Sequence, residues 1–288
     1  GRKPTQSLPW HINLCRQRIR EHGQELSALS ATGTKQFHVP MKFAQFYAGK
    51  AHTFDSDPGV TDFAIGFRSA ARARKADAFL ALAETEKIND FQKSAALELA
   101  ASYKRKEAGP ILEKIPVEGV KKTAQMRHLL IQGKASEAII QFADEDITQW
   151  PFWKRSDGYR NRGRAYYLIK NGDKAETDLS KALPWTSDPK ARDAIFLMLG
   201  RNRESNLEDD DGALEAYDTI VRGDERIGGA DQFSAIQGIA RIQTKRDQFE
   251  DALKTLDRTN PTKLEGTWKK NILKSIQEVK AARQHSPK

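Results

Sequence analysis

The chain has 288 residues, 38% of them apolar, one cysteine and a formal net charge of +9. That supplies core for one large or two ordinary domains, while the lone Cys15 excludes an internal disulfide framework and a cysteine-based metal cage. No run approaches the roughly 18 apolar residues of a membrane span, and the opening GRKPTQSLPW lacks the apolar core of a signal peptide. Charge is unevenly spread. Residues 1–55 hold eight Lys/Arg against three acids, so over half of the net charge sits in about a fifth of the chain. The remainder mixes both signs, as solvated helix faces do, and no nucleic-acid partner is expected.

From Trp10, the sequence WHINLCRQRIR alternates Trp10, Ile12 and Leu14 with His11, Asn13 and Cys15, which is a strand period with one apolar face. A second short run, ELSALS, precedes a TGT turn, and FHVPMKFAQFY follows with Pro40 interrupting any regular ladder. A short N-terminal β segment is therefore predicted over residues 1–55. Its motifs are W-x-x-N-x-x-R on Trp10, Asn13 and Arg16, then Ser30, Thr32 and Gly33, then Phe37, His38, Pro40 and Phe43. In that order they resemble the closing strands of a family 9 carbohydrate-binding module, across roughly residues 8–48. The resemblance implies a β-sandwich whose other strands and sugar-stacking platform would lie upstream of residue 1. It also implies an exported bacterial protein, periplasmic or extracellular, that meets polysaccharide only through the complete module. Trp10 and Phe37 either stack on sugar or pack in a core; Asn13 and Arg16 either bond sugar hydroxyls or tie loops together. His38 has no second ligand-type residue nearby and is not expected to bind metal or act as a base.

Residues 56–288 read as helical. Stretches 62–86 and 90–114 carry helical pairs, and KASEAIIQF (134–142) reads as a second helix with Ala138 and Phe142 as its small and bulky positions. Over 156–189, Tyr159, Gly163 and Tyr166 fall on a first helix, Asn171-Gly172 marks a turn, and Ala175, Leu179 and Ala182 fall on a second. These places resemble the tetratricopeptide pattern, in which small residues allow the paired helices to cross closely. Phe196, Leu199 and Gly200 repeat the first-helix signature 37 residues after Gly163, with Ala213, Tyr217 and Ile220 on its partner. Phe249, Ala252 and Leu256 supply a third second helix before Pro261, and 264–283 reads as a terminal capping helix. The expected fold is mainly α, a tetratricopeptide-like right-handed α-solenoid of helical hairpins from residue 56 to 288, preceded by the β segment.

No phosphate-binding glycine loop, H-E-x-x-H or G-x-S-x-G is present, and the acidic run 208–211 lacks the ligand alternation of a calcium loop. No enzyme, cofactor or metal is expected. The expected function is a non-catalytic scaffold whose repeats take a protein or peptide on their concave face, with Arg160, Arg164, Arg201 and Arg203 as the candidate partner-binding residues. Two alternatives remain: a plain interaction scaffold without a carbohydrate role, or an accessory part of a polysaccharide-degrading glycoside hydrolase system.

Overall fold

The structure, a computed structural model, describes residues 76–85, 88, 90–186, 188–221, 229–262 and 264–285. The predicted β segment, and with it Trp10, Asn13, Arg16, Phe37 and His38, lies outside the described residues, as does the start of the predicted pair at 62–86. The described residues are mainly helical and include no strand. They divide into two compact units, one of the described residues up to Arg162 with Pro184–Asp188, and one of Gly163–Leu183 with the described residues from Pro189 onward.

In the first unit, α1 (Ala76–Ala83) and α2 (Asp90–Tyr103) pair, and a 3-10 turn (Arg105–Glu107) leads to α3 (Ala108–Glu113). Helices α4 (Glu118–Ile131) and α5 (Ala135–Phe142) form the next hairpin, and α4 packs on α2 and α3. Small residues set the approach: Ala96, Ala100, Ala101 and Ala124 are buried among Phe79, Leu97, Leu112 and Phe152. Helix α6 (Phe152–Leu168) begins here, and Gly119 on α4 and Gly158 on α6 both face Trp150. A Cβ on Gly119 would lie 2.9 Å from the Trp150 Cβ, and one on Gly158 would lie 2.5 Å from its indole.

The second unit continues with α7 (Gly172–Ala182), α8 (Pro189–Ser205), α9 (Asp210–Val221), α10 (Ala230–Lys245), α11 (Phe249–Asp257) and α12 (Gly266–His285). Each helix packs on the next from α7 to α12, except that the first helices α8, α10 and α12 also touch one another in order. The predicted crossing residues occupy the predicted places. Ala175, Leu179, Ala182, Ala213, Tyr217, Ala252 and Leu256 are fully buried, and a Cβ on Gly163 would sit 2.9 Å from Leu179. Tyr217 is held on two edges: a Cβ on Gly200 would collide with one side of its ring and a Cβ on Gly238 with the other. Helix α12 covers the last apolar face with Ile272 and Val279, while Trp268 lies 5.3 Å from the Phe233 ring.

Turns repeat with the helices. The backbone is left-handed at Gly133 (φ 77°), Lys170 (62°), Glu208 (55°) and Asp247 (58°), each between the first and second helix of a hairpin and 37 to 39 residues apart. At three of them the following N–H reaches back across the helix end: Lys134 to the Leu129 carbonyl (2.9 Å), Asn171 to Tyr166 (2.9 Å) and Gln248 to Gln243 (2.9 Å). This bond satisfies a terminal carbonyl that the helix leaves open and reverses the chain in the fewest residues. Asn171 then caps α7 by accepting from the Lys174 N–H, and Asp209 accepts from Gly212 at the start of α9. The acidic run 208–211 therefore serves as a turn and a helix start, where Asp210 and Asp211 suit the positive end of the helix dipole.

Two expected outcomes test this packing. Gly200→Ala and Gly238→Ala should each destabilise by about 1–3 kcal/mol, because the added methyl meets the Tyr217 ring, whereas Gly109→Ala, where a Cβ meets nothing within 4 Å, should stabilise by about 0.5–1 kcal/mol. Urea denaturation of the three variants checks the contrast, and equal shifts would refute the crossing geometry. Lys170→Gly should raise stability by roughly 0.5–1 kcal/mol, since relief of the left-handed strain exceeds the added chain entropy, and Gly133→Ala should lower it; thermal melts of both read the sign.

Candidate binding surface

The first helices of the second unit offer a repeated surface. Gly163 and Gly200 point at the second helix of their own hairpin and Gly238 at that of the hairpin before, and the residue after each is turned about 100° away. Those residues are Arg164 on α6, Arg201 on α8 and Ile239 on α10. Arg164 and Arg201 are exposed, and neither guanidinium makes a hydrogen bond or ion pair among the described residues, whereas Ile239 is buried. The ends of α6 and α8 run side by side, because Asn206 donates to the Tyr167 carbonyl (3.2 Å) and Asn202, fully buried, donates to the Gly172 carbonyl (2.9 Å). One turn beyond Arg164, Leu168 is 47% exposed; one turn beyond Arg201 stands Glu204.

Glu204 is not free to oppose the arginines. Arg241 of α10 grips it with two bonds of 2.7 Å, and the Tyr217 hydroxyl donates to it at 2.8 Å. This fork locks α8, α9 and α10 together at one carboxylate. Burial pushes the Tyr217 phenol well above its usual value, and the Glu204 charge and hydrogen bond push it further, against a smaller opposing pull from Arg241 and Arg201. Around the Tyr217 hydroxyl, Arg201 and Arg241 outnumber Glu204.

The two other arginines singled out in the sequence have partners. Arg160 pairs with Asp157 at 2.5 Å, at the end of a chain in which Lys154 binds Glu98 at 2.5 Å and approaches Asp157 at 3.9 Å. Arg203 binds Glu176 of α7 at 2.6 Å and the Gly212 carbonyl of α9 at 2.9 Å, bracing three helices. Sequence reasoning missed Gly238, although its spacing of 38 residues from Gly200 continues the period. It also missed the Glu204 fork, whose members are up to 37 residues apart, and buried Arg162, which donates to the carbonyls of Phe142, Ala143 and Glu145 at the end of α5. Among the described residues no group of His, Cys, Asp and Glu is arranged to hold a metal ion, and no helix is long and apolar enough to cross a membrane.

The phenol gives a pH test. A raised folded value means that the unfolded chain releases the Tyr217 proton near pH 10 while the folded chain keeps it, so this contribution is complete below about pH 10 and falls as pH rises further. Tyr217→Phe should cost about 1–2 kcal/mol at pH 7 through the lost bond to Glu204, and that cost should shrink above pH 10. Urea midpoints of both proteins at pH 7 and pH 11 check it; a constant gap would refute the role of the phenol.

Comparison with protein-family models gives no match, and comparison with curated proteins gives no significant one.

Proposed function

We propose that the helical region is a non-catalytic scaffold, a tetratricopeptide-like right-handed stack of hairpins closed by α12, that binds an acidic, extended segment of a protein partner on its first-helix face. The observation that carries this reading is the pair of exposed guanidinium groups, Arg164 and Arg201, at matching positions on neighbouring first helices, neither in an ion pair among the described residues. Arginine forks bind carboxylates with two parallel bonds, and exposed Leu168 beside them offers apolar contact. Recurrent small residues at the crossings, left-handed turns at a period of 37 to 39 residues and contacts between successive first helices support the stacked reading.

The resemblance of residues 8–48 to the end of a family 9 carbohydrate-binding module supports a second element of the proposal. A longer natural protein would carry the complete sandwich, hold polysaccharide there and act outside the cytoplasm, leaving the repeats for protein partners. The residues of that element are Trp10, Asn13, Arg16, Phe37 and His38.

Fluorescence anisotropy with acidic, neutral and basic peptides of equal length tests the first reading. The acidic set should bind tightest, weaken as salt rises, and lose at least about tenfold in affinity in the Arg164→Glu/Arg201→Glu variant. Equal binding of all three sets, or an unaffected variant, would sink it.

A further inference from the structure

Helices α2, α3 and α4 leave a cavity of about 290 Å3 between them, wholly within the first unit. Its floor is buried and apolar: Ala101, Ala108, Leu112 and Ala124. Small side chains at three of these four places leave the space unfilled. The mouth carries two large apolar groups that a folded chain ordinarily turns inward, Tyr103 at 44% and Ile131 at 48% exposure. Phe79 stacks on the Tyr103 ring at 5.8 Å and holds it at the rim.

The charged lining is one-sided. Arg105 and Arg127 are exposed and form no hydrogen bond or ion pair among the described residues. Among the described residues Glu98 is the only carboxylate in the lining, and Lys154 already holds it at 2.5 Å. His128 is hydrogen-bonded to Gln132 at 2.8 Å. An occupant must therefore bring an apolar body to the floor and a negative group to the two guanidiniums. The N-terminal 75 residues are a poor match, with twelve Lys/Arg against five acids. An apolar cavity of about 150 Å3 accepts a six-carbon ring, so this one has room for on the order of ten to twelve non-hydrogen atoms.

We propose that this cavity binds a small amphipathic monocarboxylate, its hydrocarbon chain on the alanine floor and its carboxylate between Arg105 and Arg127. The site is separate from the first-helix face of the second unit and does not depend on the peptide reading. Pockets of this type owe affinity to apolar burial and orientation to a few convergent polar groups. Charge-assisted bonds to two arginines would set the preference for an anion.

Octanoate, n-octanol and octylammonium share a chain and differ in head group, so isothermal titration of the full chain with each reads both halves of the site. Octanoate should bind saturably at one site per chain, octanol at least about tenfold more weakly, and octylammonium not at all. Arg105→Gln/Arg127→Gln should reduce octanoate affinity at least about tenfold and leave octanol binding and the far-ultraviolet circular dichroism unchanged. Ala124→Phe should abolish binding of both; because it could also disturb packing, the exposed arginine pair carries the decision. No saturable octanoate binding, equal affinity for the three compounds, or an arginine variant that binds octanoate as well as the parent would each overturn the proposal.

Discussion

The ring of Tyr217 sits between two glycines on two different helices, and the architecture of the second unit depends on that contact. Gly200 on α8 and Gly238 on α10 leave no side chain toward the ring, so both helices close on α9. The area buried by one aromatic side chain is thereby used twice, once within a hairpin and once between hairpins. The same device recurs in the first unit with another ring, Trp150 lying against Gly119 and Gly158. At the hairpin of α6 and α7, Leu179 meets Gly163 in the smaller version of the contact. A bulky group opposed by a missing side chain fixes helix spacing because neither partner can grow without forcing the backbones apart.

Polar groups then remove the remaining freedom. Glu204 satisfies Tyr217 and is itself gripped by Arg241, so a hydroxyl that would otherwise be buried without a partner becomes the joint of three helices. Arg203 works alike between α7, α8 and α9, and Arg162 closes the end of α5 by taking three carbonyls. Lys154, buried with Glu98, is the least expendable of the pairs: removal of one member leaves an uncompensated charge, which is far more costly than the pair is stabilising. Arg203 is engaged in this bracing and Arg160 is paired within its own helix, which distinguishes both from the exposed Arg164 and Arg201.

That distinction bears on function. Four arginines with similar sequence settings separate into two that are already paired, Arg160 within its own helix and Arg203 between helices, and two that face solvent, and recognition of an acidic partner is proposed on the solvent-facing pair alone. The cavity of the first unit follows the same logic on a smaller scale. Among the described residues its one carboxylate is engaged by Lys154 and its two guanidiniums are not engaged, so the surplus charge is positive. In both places the sign of the vacancy is decided by which counter-charges the fold has already consumed.

The sequence by itself determined the helical content of the described residues and the hairpin register. Small residues at 175, 213 and 252 each stand four residues before bulky ones at 179, 217 and 256, a helical spacing that is a local property of the chain, and the pattern recurs every 38 to 39 residues, as Gly163 and Gly200 do at 37. It also marked a helix over 264–283, where the structure has α12 with Ile272 and Val279 buried. Left-handed turns at Lys170, Glu208 and Asp247 were not legible, because only Gly133 carries the residue that such a backbone favours. Pairing of charges was equally hidden: Arg241 finds Glu204 across 37 residues, and Lys154 finds Glu98 across 56. Which arginine stays free depends on distances between helices, and those are set only when the rings of Tyr217 and Trp150 meet their glycines and the chain is packed.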